Sequence, residues 1–386
     1  MLIISISILA IIMFKVLWVI LKTHNHNNLA KEEKEILQRA RYVCSKVATS
    51  PSELMDVMPK FLPSQFQGEW AIYSCSMTCK ALANIASLYP KYKDSIQKKI
   101  TSIIDIALSE EISAYDRDKW FEDPIEGLDG NRSHISYYSH LAWMIGEYKN
   151  IYDDTKYDNL YHSLCEAMDR RIRNSSILIV PTYPGESIYI PDVLVAIVAL
   201  HIYNRLYSHH YKNTVDAWIL KAKTEWIDVE TGLLASCLSE RGDILAIRGS
   251  YSALNCYYLS LIDMDFAKQQ YQCLIKYYKQ PSPLTGLKEL YNGKKIWFKF
   301  DVDAGFILFN RSASGTAFVI GCATLFDDNK YRKQLLKTAE IFGSSITWKG
   351  KTHYLMSHFA LVGEATVLAM RTSIKQPMEL WLLGKN

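Results

Sequence analysis

Four stretches decide the reading of this 386-residue chain: LYPKYKDSI (88–96), NIYDDTKYDNL (150–160), DMDFAKQQY (263–271) and FDDNKYRKQL (326–335). Each sets an Asp or a Pro close to an aromatic, between two apolar segments of helical period. That is the chemistry of a short turn that caps the helix following it. Working outward from these joints, the periodicity predicts helix pairs at 70–88 with 91–108, 134–149 with 154–174, 191–207 with 211–227, 249–262 with 265–279, and 303–325 with 328–342. A helix near 30–47 remains at the start and one at 355–371 at the end, and these two can pair to close a ring. The units recur with a period of about 55 residues and none can bury its apolar face alone, so they argue for a closed array of about six hairpins. The expected fold class is all-α, an (α/α)6 toroid. Strand-like alternation is confined to short stretches such as KIWFKFDVD (295–303), expected as a loop hairpin.

Composition suits a globular protein with a sizeable core: 49% of residues are hydrophobic and 22% charged. The net charge of +4 is spread among acids without a basic run, which excludes nucleic-acid binding. The 25 tyrosines offer flat apolar faces with polar tips, suited equally to lining a pocket and to packing between helices. The eight cysteines show neither a disulfide framework nor zinc-ligand spacing; Cys75 and Cys79 share a helix face and read as buried packing.

Residues 2–21, LIISISILAIIMFKVLWVIL, carry Lys15 as their only charge, and about 20 mostly apolar residues is a membrane-crossing length. No basic residue precedes the run and no Ala-x-Ala pattern follows it, so an uncleaved anchor is expected rather than a signal peptide. The expected organisation is an anchor at 1–22, a tether at 23–35 (THNHNNLAKEEKE) and one toroid domain at 36–386. Lys22, Lys31, Lys34, Arg39 and Arg41 follow the anchor, which by the positive-inside rule would hold the domain in the cytoplasm.

In a ring of hairpins the longer loops gather at one end of the central funnel, here 50–69, 109–133, 175–190, 236–248 and 280–302. Loops on a rigid scaffold are where chemistry sits. His140 is expected at the funnel wall near Tyr137 and Tyr138, where an imidazole can give or take a proton. The alternative, a hydrogen-bonded core histidine, stays open. TYPGESIYIPD (182–192) holds Glu186 in a Pro-Gly turn, a candidate acid or base, and Asp192 at the start of a helix. Asp192 has an alternative role as an N-terminal helix carboxylate. Asp123, Glu126 and Asp129 occupy a second loop, and Glu289, Asp301 and Asp303 a third; half are expected to pair with Arg117, Arg132 or Arg248. No phosphate-cradling loop, metal-ligand helix or nucleophile elbow is present, so neither cofactor nor metal is expected. His24, His26, His209 and His210 read as solvent-facing.

The run DPIEGLDGNRSHISYYSHLAWMIGEYKNIY (123–152) resembles linalool dehydratase-isomerase, whose pattern runs Asp-Pro-Ile-Glu and later Gly-His-Leu. IYSCSMTCKALANIASLYPK (72–91), PDVLVAIVALHIYNRL (191–206), WIDVETGLL (226–234) and GSYSALNCYYLSLIDMDFAKQQY (249–271) follow in the same order. The resemblance implies an α/α toroid and an extracytoplasmic site. It places the family's active-site histidine on His140 and its active-site tyrosines on Tyr73 and Tyr251. The family's cysteine pair is replaced here by Tyr183 and Asp192.

The leading expectation is a cofactor-independent lyase or isomerase that hydrates, dehydrates or isomerises a small hydrophobic alcohol. His140, Tyr73, Glu186, Asp192 and Tyr251 would be catalytic, and Tyr183, Tyr137, Asp129, Glu289 and Asp303 would bind substrate. The alternatives are a carbohydrate-active hydrolase, lyase or epimerase using paired carboxylates, or a non-catalytic membrane-tethered binding protein. Expected partners are a small-molecule substrate and the lipid bilayer, with a homo-oligomer left open.

Overall fold

A segment such as PDVLVAIVALHIYNRL has no polar face, and such a helix is stable only when other elements surround it. KDSIQKKITSIIDIA, by contrast, places Ile96, Ile100, Ile103, Ile104 and Ala107 on one buried stripe and its lysines on the other. These two kinds of helix alternate along the chain. In the computed structural model, which describes residues 2–22, 29–208, 210–281, 284–291 and 296–375, the helices in order are α1 (Leu2–Lys22), α2 (Leu29–Val47), α3 (Pro51–Asp56), α4 (Ser64–Leu88) and α5 (Lys93–Ala107). Then come α6 (Glu110–Trp120), α7 (Ile135–Lys149), α8 (Asp158–Asn174), α9 (Ile190–Leu206) and α10 (Lys212–Thr224). The last five are α11 (Gly249–Leu259), α12 (Met264–Tyr278), α13 (Ala313–Leu325), α14 (Asn329–Gly343) and α15 (Leu361–Arg371).

The helices buried on all sides form a closed ring: α4 packs on α7, α7 on α9, α9 on α11, α11 on α13, α13 on α15, and α15 returns to α4. The one-sided helices sit outside it, α5 against α4 and α7, α8 and α10 against α9, α12 against α11, α14 against α13, and α2 against α4 and α15. The result is mostly helical and toroid-like. Short-range sequence chemistry sets two of the four joints. Asp263 accepts from the Phe266 amide at 3.0 Å to cap α12, and Asp328 accepts from the Tyr331 amide at 3.1 Å to cap α14. At the other two joints a tyrosine occupies the cap position without a side-chain cap.

The first and last segments close the ring through buried ions, with Arg39, Arg332 and Arg371 all 2% exposed or less. Arg371 donates to Glu32 at 2.6 Å and to Glu35 at 2.9 Å, Arg332 to Glu32 at 2.9 Å, and Arg39 to Glu364 at 2.8 Å and Glu340 at 3.1 Å. Residues 29–35 of the expected tether therefore belong to α2 and to this network. The remainder of the tether, with His24 and His26, lies outside the described residues, as do His209 and 376–386. His210 is exposed.

Two expectations are corrected. Among the described residues three small sheets accompany the helices, the largest of five strands. Residues expected to begin the 303–325 helix instead form strands at Gly305–Leu308 and Arg311–Ser312. The expected hairpin at 295–303 is part of the same sheet, with Phe300 opposite Phe306 and Asp301 opposite Gly305, whose positive φ turns the chain. The second correction concerns the membrane. Among the described residues no helix is long and apolar enough to cross one. Lys15 interrupts the apolar run of α1 and donates to Ser344 Oγ, while Val19 is fully buried and α1 lies along α14. The single-pass anchor and the bilayer partner are therefore withdrawn.

Candidate active site

The ring helices open together onto one cavity of about 590 Å³. First-turn residues of α7 (Ser136), α9 (Asp192), α11 (Ser250), α13 (Ser314) and α15 (Val362) line it, so the amide ends of these helices converge there. The close approach of α11 to the sheet depends on Gly249: a Cβ there would sit 1.8 Å from the Lys288 carbonyl oxygen.

The floor is built mainly by α4 and α9. Glu69 and Tyr73 are four residues apart on α4 and share a face. The Glu69 carboxylate accepts from the Tyr183 hydroxyl at 2.7 Å and from the Gln65 amide at 2.9 Å. Burial dominates its proton affinity and pushes it up to about 8, with Asp192 and Asp303 nearby adding to the rise against those two hydrogen bonds. Asp192 accepts from the Thr182 hydroxyl at 2.8 Å and from the Tyr73 hydroxyl at 3.1 Å. Its burial outweighs both bonds and raises it to about 6, although a position in the first turn of a helix favours the anion. Neither acid has an ion-pair partner among the described residues. Two carboxyls in one cavity, one holding its proton through neutrality and the other losing it near pH 6, form an acid and a base set by environment.

The remaining expected residues divide by position. Tyr73, Tyr183, Glu186, Asp192, Tyr251 and Asp303 line the cavity. Glu186 sits at its rim and accepts from Lys119 at 3.1 Å. Arg248 draws the acids of the third loop together, donating to Glu289 at 2.6 Å, to Asp301 at 2.6 Å and to Asp303 at 3.3 Å, and its guanidinium packs 5.1 Å from the Tyr251 ring. Glu289 is 1% exposed and also holds the Ser250 hydroxyl at 3.0 Å, behind the cavity wall. Asp129 is exposed on a short turn away from the cavity. Tyr137 is fully buried and donates to the Ala107 carbonyl at 2.8 Å.

His140 lies one layer beneath the floor. It is fully buried, its Nδ1 is 2.9 Å from Ser76 Oγ, and its ring supports that of Tyr73 at 4.0 Å between centroids. Burial depresses its basicity to about 3, so it stays neutral across physiological pH.

The sequence reading missed Glu69, which falls one residue before the helix expected to begin at 70; α4 starts at Ser64. The signal was present in the four-residue spacing of Glu69 and Tyr73. It also missed Trp70, Phe300 and Phe306, which line the wall above the acids, Phe300 within 5.3 Å of Phe306 and 6.4 Å of Trp70.

No family model and no curated protein matches the chain. Solved structures do. The chain is similar to an unsaturated glucuronyl hydrolase specific for heparin, at 10% identity over 88% of this chain and 96% of that one, with a TM-score of 0.56. It is similar to a family 105 glycoside hydrolase of C. acetobutylicum ATCC 824, at 10% identity over 77% and 92%, TM-score 0.52. It is also similar to an unsaturated glucuronyl hydrolase of Bacillus sp. GL1, responsible for the degradation of glycosaminoglycan, at 12% identity over 79% and 85%, TM-score 0.50. At such identities the likeness is one of fold. These neighbours overturn the resemblance to linalool dehydratase-isomerase and, with it, the expected hydration or isomerisation of a hydrophobic alcohol. Within the matched run 123–152, Tyr137, Tyr138 and His140 are fully buried.

Proposed function

We propose that this chain is a carbohydrate-active hydrolase that cleaves a uronyl-ended saccharide by acid–base catalysis, with Glu69 as acid and Asp192 as base. The observation that carries the reading is the pair of buried carboxyls with no ion-pair partner among the described residues, their proton affinities raised to about 8 and about 6. In the reaction Glu69 gives its proton to the leaving oxygen as the bond to the sugar breaks. Asp192 takes a proton from water, and the resulting hydroxide oxygen bonds to the sugar carbon. Solvent then returns Glu69 to its acid form and Asp192 to its anion.

Tyr183 and Tyr73 hold the two carboxyls in place, and neutral His140 braces the Tyr73 ring from below. Trp70, Phe300 and Phe306 offer flat faces to sugar rings. The converging helix amide ends, each carrying about half a positive charge, favour a carboxylated sugar over a neutral one. The neighbours' action on unsaturated glucuronyl groups supports the same substrate class.

The test is a turnover assay on oligosaccharides ending in an unsaturated uronyl residue, beside the corresponding saturated and neutral saccharides. Cleavage of the uronyl substrates, abolished by Glu69→Gln and by Asp192→Asn, is the expected result. Turnover that survives both substitutions removes the assigned roles.

A further inference from the structure

The acid pair occupies only one end of the cavity. The other end runs between the N-terminal part of α13, the C-terminal part of α14 and the start of α15, and its lining includes Ala317, Ala339, Phe342, Met356, Phe359 and Val367. Ala317, Tyr354 and Val367, with Ala339 against them, form a hydrophobic cluster separate from the main core. All four line the cavity, so the space between that cluster and the core is the cavity itself. Phe342, Met356 and Phe359 are 45%, 44% and 52% exposed at this end. The hydroxyls of Thr338 and Tyr354 also face this end without a partner among the described residues, but along most of the wall a sugar hydroxyl would lose its hydrogen bonds to water without replacement. An alkyl or aromatic group would gain by leaving water.

We infer that this arm takes the apolar aglycone of a glycoside, so that the substrate is amphiphilic, with its sugar over Glu69 and Asp192 and its hydrophobic leaving group between α13, α14 and α15. The inference rests on the proposed function for the sugar end; the arm itself stands on its lining. A saccharide-only substrate would leave this end of the cavity filled by water against largely apolar walls. A chain of several methylenes would displace that water while the glycosidic oxygen stayed at the acid pair.

The test compares binding of octyl β-D-glucuronide and methyl β-D-glucuronide by calorimetry, using the whole chain. The octyl ligand is expected to bind at least tenfold more tightly. Ala339→Trp, which fills the arm, should bring the octyl-to-methyl ratio toward one. Phe342→Ser, at an exposed position that does not threaten folding, should lower the ratio severalfold. A ratio near one in the unmodified protein, or no binding of the octyl ligand, overturns the inference. Failure of the uronyl turnover assay with the ratio intact removes the proposed reaction and leaves the arm. Turnover with a ratio near one does the reverse.

Discussion

Two sets of buried acids in this protein have opposite settings. At the seam that closes the ring, Glu32 is nearly enclosed yet meets Arg332 and Arg371, and Glu364 meets Arg39. Burial pushes Glu32 up, but the two arginines outweigh it and hold the carboxyl below its ordinary range. At the cavity floor Glu69 and Asp192 meet only tyrosine, threonine and glutamine, and burial wins. Glu32, held between two guanidiniums, is committed to its anion and serves as structure, whereas Glu364, with Arg39 against it, is still raised by its burial. A carboxyl bonded only to neutral donors can exchange its proton near neutrality and is available for chemistry. Arg248 shows the balance going both ways inside a single loop cluster, since burial still raises Glu289 and Asp303. It takes up Glu289, Asp301 and Asp303, and Asp301, closely paired with it, ends below its ordinary range although burial alone would raise it.

The contrast can be broken most forcefully by substituting the cavity acid. Glu69→Gln should lower kcat on a uronyl saccharide by about 10²–10⁴-fold, the usual worth of a general acid. Circular dichroism should show the fold intact, and loss of the fold would mean that Glu69 is structural like the seam acids. At the seam, Arg371→Met should destabilise the protein by about 3–5 kcal/mol, because it strips a partner from the enclosed Glu32 and the partly buried Glu35. Chemical denaturation measures this, and a change under about 1 kcal/mol would show that the network is dispensable.

A subtler separation comes from the pH dependence of stability. Glu69 in the folded chain, at about 8, binds its proton more tightly than in the unfolded chain, whose ordinary value is 4.5. The folded form therefore holds an extra proton between these values, and stability falls as pH rises from about 4.5 through about 8. Glu69→Gln lacks that dependence and should exceed the unmodified protein at pH 8 by on the order of 4 kcal/mol, converging at acid pH. Thermal melts across the range read this directly, and parallel curves would contradict it. The smallest effect is expected at His140, where replacement by Gln should cost less than about tenfold in kcat, since it touches the site only through Tyr73. A loss on the scale of Glu69→Gln would make it a direct participant.

Most of the ring was legible because apolar runs and turn residues are local signals. Residues 191–207 and 249–262 read as helices and lie in α9 and α11 within a few residues. The sheet at 305–312 was not legible, since GFIL and RS are too short to show a period and take their form from pairing with 286–288 and 298–301. At the site, Asp192 and Tyr73 were readable as candidates, whereas the distinction between Tyr137 and Tyr183 was not. Both are tyrosines near helix starts, and only the packing sends one to the Ala107 carbonyl and the other to Glu69. Arg248's hold on three acids from 41 to 55 residues away is likewise a property of the fold. The apolar α1 segment shows how far composition alone can mislead, because its place along α14 depends on contacts some three hundred residues distant.

Glu69 carries a proton at neutral pH, whereas Glu32 at the seam does not. Infrared difference spectra of the unmodified protein against Glu69→Gln, titrated from pH 5 to pH 10, measure that proton. We predict a protonated carboxyl band at pH 7 that is absent from the variant and disappears with a midpoint near 8. A band that is missing at pH 7, or that titrates in the ordinary carboxylate range, would contradict the assignment of Glu69 as the acid.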